Sequence, residues 1–195
     1  MFSAQQIKQN SEELVRLQAL IHSTFLSRAV SEEHWSQWKD ACAECHQRFD
    51  MLVFPGGGKM LLRVRESDPV ALEAAVRFLA IDPYHFRSGY IKEYLWKWLL
   101  HCNLSRSARG RLEQAALGYL DRRITREFWN MCKAMAQLGR TEFWLKVSER
   151  SLKADGPEAK RAYFLLVHGA SVHAGALVRR AFHHDYMMRR YGGRS

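Results

Sequence analysis

The apolar residues of this chain recur at intervals of three and four, and this spacing constrains the fold more than any other feature. The clearest stretch steps by 3, 4, 3 and 4 through Trp35, Trp38, Cys42, Cys45 and Phe49. Residues at such steps lie on one face of an α-helix. Further stripes are Leu14, Leu17 and Ile21; Ile91, Leu95, Leu99 and Cys102; Leu112, Ala116 and Leu120; and Phe128, Cys132 and Met135. We therefore expect an all-α fold of eight or nine helices.

Residues that start helices stand between these stripes. Pro69 follows Asp68, and Pro157 follows Asp155 and Gly156, which is the N-cap and first-turn chemistry of a helix start. Further N-cap candidates are Ser31, Ser105, Thr125 and Thr141. Helices separated by such short breaks suit antiparallel pairs stacked side by side, so we expect an α-solenoid or an irregular helical bundle.

The glycine-rich stretch 54–59, with the sequence FPGGGK, interrupts the helical pattern. Consecutive glycines after a proline favour a flexible joint. A chain of 195 residues suits one domain. We therefore expect a single all-helical domain over 1–195, with a helix pair over 1–53, the joint at 54–59 and a stack of helix pairs over 60–191.

Positive charge is concentrated in the C-terminal half of the chain. Residues 1–100 hold 12 Lys and Arg against 12 Asp and Glu, whereas residues 101–195 hold 18 against 8. At helical spacing, several of these cations fall opposite the apolar stripes and would join into one positive ridge. The residues expected to contact a partner there are Arg126, Lys133, Arg140, Lys146, Arg150, Arg179 and Arg190.

A positive ridge attracts nucleic acid and acidic proteins alike, through long-range and salt-sensitive forces. The simplest alternative is a solvated basic surface that keeps the protein soluble. Membrane binding is not expected, since the last helix mixes its charges with His183, His184 and Asp185. The N-terminal residues lack the apolar core of a secretory signal, so we expect a cytoplasmic protein.

Cys42, Cys45 and His46 match the C-x-x-C-H pattern that attaches haem in c-type cytochromes. Both cysteines also lie on the apolar stripe with Trp35 and Phe49, and a buried free cysteine behaves as a small hydrophobe. We favour packing in the core, with a metal or redox site and haem attachment as the alternatives. No cofactor and no metal are expected.

The segment from Asp82 to Glu93 concentrates polar and charged groups in a turn that leads into a helix. Arg87 is expected to pair with Asp82 or to bond the carbonyl groups at a helix end, so that the segment braces a corner. A binding site in the same turn is the alternative.

Two segments, 54–57 (FPGG) and 82–93 (DPYHFRSGYIKE), resemble an uncharacterised family of bacterial helical proteins. The resemblance covers residues 45–130. Its helix pairing is similar to that of HEAT-like α-solenoids, which implies a scaffold that holds a partner along a curved surface. The family supplies no reaction and no catalytic residues.

These observations lead to one main hypothesis and two alternatives. The main hypothesis is a non-enzymatic helical scaffold that binds an acidic partner or nucleic acid through its basic C-terminal half. Some HEAT-like proteins are DNA glycosylases, so the first alternative is a nucleic-acid enzyme using Glu127, Glu142, Trp129 and Trp144. The second is a toxin-neutralising or regulatory protein-binding protein. No catalytic constellation is recognisable in the sequence.

Overall fold

The chain is described by a computed structural model that covers residues 3–152 and 156–173. Within these ranges it forms helices and no strands, which confirms the all-α prediction. The described part contains nine helices: α1 (Ala4–Ser27), α2 (Glu32–Val53), α3 (Gly57–Arg65), α4 (Pro69–Ile81), α5 (Ser88–Leu99), α6 (Arg106–Leu120), α7 (Phe128–Leu138), α8 (Thr141–Leu152) and α9 (Pro157–His173). None of the described helices is long and apolar enough to cross a bilayer.

Side-chain caps start several helices where the sequence predicts them. The Ser31 hydroxyl accepts a hydrogen bond from the His34 N–H, and the Ser105 hydroxyl accepts one from Ala108. Asp68 accepts two backbone N–H groups, at 3.1 and 2.9 Å, just before Pro69. Such caps satisfy donors that the first helical turn leaves unpaired.

Two predicted caps were wrong. Glu127, not Thr125, occupies the N-cap position of α7. Thr141 is the first residue of α8 and not the residue before it. The Thr125 carbonyl instead accepts the Phe128 N–H, so Thr125 begins a turn that leads into α7.

The chain forms two compact units, Met1–Leu95 and Trp96–Ser195, with the division inside α5. In the first unit α1 packs on α2 and α4, and α3 packs on α2 and α4. Its core contains Leu17, Phe54 and Phe78, whose exposure is 1% or less. In the second unit α9 packs on α6, α7 and α8, and α6 also packs on α7. Packed helix pairs are thus present in both units.

The glycine-rich stretch 54–59 lies inside the first unit, where residues 54–56 form a turn and residues 57–59 begin α3. Phe54 and Pro55 are buried, and Gly56 and Gly57 adopt positive φ values of 80° and 74°. The Gly58 N–H donates to the Asp50 carboxylate at 3.1 Å. A Cβ on Gly57 would lie 2.9 Å from that carboxylate, so both the φ value and the close approach require glycine there.

The apolar stripes differ in how far they are buried. In the second unit Phe128, Cys132 and Met135 of α7 are 4% exposed or less, as their spacing predicts. On α2 of the first unit, Trp35 is 46% exposed, and Cys42 and Cys45 are only partly buried. Helical periodicity was therefore correct in both units, whereas the expected core position of the α2 stripe holds only in part.

Candidate functional site

Among the residues that the structure describes, one lysine and two glutamate side chains are buried. The buried charge is positive in the first unit and negative in the second. Lys92 of the first unit is 3% exposed, whereas Glu113 and Glu127 of the second are 4% and 2% exposed. Residues 1–95 hold 11 Lys and Arg against 12 Asp and Glu, and residues 96–195 hold 19 against 8. The basic unit therefore places two of its few carboxylates away from its surface.

Arg140, a predicted contact residue, is held by the buried Glu113 of α6. Its Nε and Nη2 donate to the Glu113 carboxylate at 2.9 and 2.6 Å, and its backbone N–H donates to the same group at 2.9 Å. The hydrogen bonds to Glu113 and the charge of this carboxylate raise the pKa of Arg140. Such a two-pronged pair fixes the guanidinium, so Arg140 fastens the α7–α8 turn to α6.

Arg150 of α8 also joins helices. Its Nη1 donates to the Leu117 carbonyl at 3.0 Å and to the Asp121 carboxylate at 2.8 Å. The same nitrogen lies 3.5 Å from Glu158 of α9. Because Leu117 and Asp121 lie at the C-terminal end of α6, the cation offsets the partial negative charge of that helix end. Arg150 is thus engaged within the second unit.

Three other predicted contact residues lie at the surface of the second unit, and we call them the exposed cations. Arg126 lies in the turn before α7, Lys133 on α7 and Lys146 on α8, and each is exposed. Arg179 and Arg190 lie outside the described residues. Within the described part, the predicted ridge is therefore represented by three exposed residues, while the side chains of Arg140 and Arg150 are 34% and 27% exposed.

Aromatic rings lie beside Lys133, in a group that we call the ring cluster: Trp129 of α7 with Phe164 and His168 of α9. The Trp129 ring centroid is 5.7 Å from that of Phe164 and 5.0 Å from that of His168. The ring centroids of Phe164 and His168 are 4.3 Å apart, and the Lys133 ammonium nitrogen lies 5.1 Å from the Trp129 ring centroid. Trp129 remains 42% exposed and Phe164 37% exposed.

The part of this cluster on α9 was missed by sequence reasoning, although a local signal exists. Lys160, Phe164 and His168 follow one another at intervals of four, and all three are exposed. This spacing places them on one face of α9.

The glutamates of the enzyme alternative occupy different environments. Glu127 is 2% exposed, and its carboxylate accepts a hydrogen bond from the Tyr119 hydroxyl at 3.5 Å. Burial, together with the charge of Glu127, raises the pKa of Tyr119. The Arg122 guanidinium lies 3.8 Å above the Tyr119 ring. Glu127 is therefore part of a buried polar cluster, out of reach of a substrate at the surface, whereas Glu142 is exposed in the first turn of α8.

Trp144, the other tryptophan of that alternative, is fixed by packing. Its Nε1 donates to the Gly139 carbonyl at 3.2 Å, and its ring lies edge-on against Phe143. A Cβ on Gly169 would overlap the indole, so α9 approaches Trp144 at a residue without a side chain. Trp129 is thus the exposed member of the pair.

The segment 82–93 braces a corner of the first unit, through a different pair from the predicted one. Lys92 Nζ lies 2.6 Å from the Asp82 carboxylate, whereas the Arg87 side chain is exposed. The His85 N–H donates to the Ser88 hydroxyl at 3.2 Å. Burial lowers the pKa of His85, which lies edge-on against Phe78 in the core. Asp82, directly after α4, and Arg87, directly before α5, both have positive φ values.

The C-x-x-C-H segment of α2 is partly exposed. Burial raises the pKa of Cys45, with a further contribution from Cys42, and a raised pKa disfavours the thiolate that binds metals. His46 is exposed on the same helix. Within residues 3–152 and 156–173, no group of three or more His, Cys, Asp or Glu side chains is placed to hold a metal ion.

No family model, no curated protein and no solved structure matches the chain. The resemblance of residues 45–130 to a bacterial helical family therefore stays a prediction.

Proposed function

We propose that this protein is a cytoplasmic, non-enzymatic helical scaffold that binds nucleic acid through the surface of its second unit. The observation that supports the proposal is the placement of charge. The second unit exposes Arg126, Lys133 and Lys146, while it buries Glu113 and Glu127. A polyanion at this surface meets more cations than carboxylates, although Glu142 and Glu149 are also exposed near Lys146 on α8. The release of its counterions favours binding.

Nucleic acid fits this surface better than an acidic protein because aromatic rings lie beside one of the cations. The ring cluster is next to Lys133. A carboxylate-rich peptide gains little from exposed aromatic rings, whereas nucleic acids offer both phosphates and flat bases. Binding of an acidic protein is the alternative that the experiment below separates.

The proposal is tested with a triple substitution of the exposed cations, Arg126→Glu, Lys133→Glu and Lys146→Glu. We expect the affinity for a labelled DNA to fall by about tenfold or more at low salt. The dependence of log K on log salt should become shallower by about 2 to 3, since each phosphate contact contributes nearly one unit to this slope. Fluorescence anisotropy over a salt series measures both quantities.

The matched control reverses the same number of charges in the first unit, by Lys8→Glu, Lys39→Glu and Lys59→Glu. These lysines are exposed, so the control changes the net charge equally and leaves the proposed surface intact. An unchanged DNA affinity in the first triple variant, or an equal loss in both, would refute the proposal. Binding of polyglutamate without binding of DNA would replace nucleic acid by an acidic protein as the partner.

A further inference from the structure

Two rings of the ring cluster, those of Trp129 and Phe164, are exposed to solvent although the cluster packs against the core. Fully packed rings of the second unit, such as Phe128 and Phe143, are 4% and 2% exposed. Trp129 and Phe164 are far more exposed, at 42% and 37%, although Phe164 contacts Phe128 at a centroid distance of 6.0 Å. The cluster therefore rests on the core and presents aromatic surface outward.

Cations flank this aromatic surface on both helices. On α7 and the turn before it, Arg126, Trp129 and Lys133 are separated by three and four residues. On α9, exposed Lys160 lies one turn before Phe164. Because α7 packs on α9 and Trp129 contacts Phe164, the two rows lie side by side. The exposed side chains of Lys133 on α7 and Lys160 on α9 thus flank the rings.

We propose that Trp129, Phe164 and His168 form a stacking platform for unpaired bases, so that the second unit recognises single-stranded nucleic acid. This inference rests on the proposed function and adds the structural class of the ligand. The bases of a duplex are stacked on one another and their faces are inaccessible, whereas the bases of a single strand can stack on protein rings. Arg126, Lys133 and Lys160 contact the phosphates on either side.

The packing of the cluster supports this role. The Trp129, Phe164 and His168 rings touch one another, and Lys133 lies over Trp129. Side chains held in this way lose little conformational entropy when a ligand binds. Stacking on such rings tolerates any base, so we expect a preference for single strands with little sequence specificity.

The experiment compares an oligothymidine of about 16 nucleotides with an abasic strand of the same length. The two strands carry the same phosphates, so their difference in affinity reports base contacts alone. With the 195-residue chain we expect the oligothymidine to bind about tenfold more tightly. Trp129→Ala should abolish this difference and leave abasic binding nearly unchanged, whereas Trp129→Phe should retain most of it.

Two further variants serve as controls. They show whether a loss of base binding reflects unfolding or the removal of any exposed aromatic ring. Phe164→Leu keeps an apolar side chain against the core and removes a stacking ring, so it should also reduce the base-dependent difference. Trp35→Ala removes a tryptophan of similar exposure, 46%, from the first unit and should leave the difference unchanged. Thermal melting of each variant verifies its fold.

The outcomes separate this inference from the proposed function. Equal affinity of the wild-type protein for the two strands, or an equal weakening of both by Trp129→Ala, overturns the stacking platform. If the triple reversal of the exposed cations still abolishes binding to both strands in that case, the nucleic-acid scaffold stands without it. If neither these strands nor the labelled DNA of the first experiment binds to the wild-type protein, both proposals fail.

Discussion

Each unit contains a buried ion pair, but the sign of the buried partner is opposite in the two. The first unit buries Lys92 beside Asp82, whose side chain is 22% exposed. The second buries Glu113 beside Arg140, whose side chain is 34% exposed. A helix corner is braced in the same way in both cases. Because the buried partner is Lys92 in the first unit, the group nearer the surface there is the Asp82 carboxylate. In the second unit the buried partner is Glu113, so the group nearer the surface is the Arg140 guanidinium.

The largest effect that this comparison predicts is the cost of removing Arg140. Arg140→Ala leaves the Glu113 carboxylate, whose side chain is 5% exposed, without its cation, which should destabilise the protein more than any other substitution in this comparison. Urea unfolding followed by circular dichroism measures the loss. The matched variant Lys92→Met removes the buried charge itself and leaves Asp82 with partial access to water. We expect it to cost about 1 kcal/mol, and a cost equal to that of Arg140→Ala would contradict the comparison.

Two tryptophans, one in each unit, are held differently. Trp35 of the first unit is 46% exposed, whereas Trp144 of the second is wedged against Gly169 of α9. A Cβ on Gly169 would overlap the indole, so Gly169→Ala should destabilise the protein by about 1 to 3 kcal/mol. Thermal melting detects the change.

Gly118 provides the control for that substitution. It lies in α6 of the same unit, and a Cβ there would meet no atom within 4 Å. Alanine is the better helix former, so Gly118→Ala should raise stability by about 0.5 to 1 kcal/mol. If both substitutions shift the melting temperature in the same direction, close packing of Gly169 does not explain the result.

The sequence predicted the fold class well because helical periodicity and capping are local. The stripes on α2 and α7 have the same spacing, yet the α7 stripe is buried and the α2 stripe is half exposed. Periodicity identifies the apolar face of a helix, and it does not say how many neighbours cover that face. Both helices pack on two others, α2 on α1 and α3 and α7 on α6 and α9, so the difference lies in how much of each face those helices cover.

The candidate site was less predictable because its chemistry depends on tertiary pairing. Glu113 and Arg140 are 27 residues apart in sequence, and no local pattern assigns one to the other. Helical spacing placed Lys133 and Lys146 away from the apolar faces of their helices, and both residues are exposed. This feature was predictable because the helix period alone decides which residues share a face. Trp129 meets Phe164 only because α9 packs on α7, and a single sequence does not report that contact.

The smallest predicted effect concerns the acid stability of the first unit. Glu13 of α1 accepts hydrogen bonds from Arg16 at 2.8 and 2.9 Å and forms a salt bridge with Arg48 of α2. The hydrogen bonds from Arg16 lower the pKa of Glu13 from 4.5 to about 2, assisted by Arg48. A lowered pKa in the folded state stabilises the protein fully above pH 4.5, and this contribution disappears as the pH falls towards 2.

We therefore expect Glu13→Gln to remove a small part of the acid-induced loss of stability between pH 4.5 and about 2. Melting temperatures measured across this range, for the variant and the wild-type protein, should converge at the acidic end and differ at pH 5 and above. Glu12→Gln removes an exposed carboxylate from the neighbouring position of the same helix and serves as the control. Because the group is solvated, salt should shrink the difference. A difference that persists at pH 2 would show that Glu13 stabilises the α1–α2 pair by packing and not by its charge.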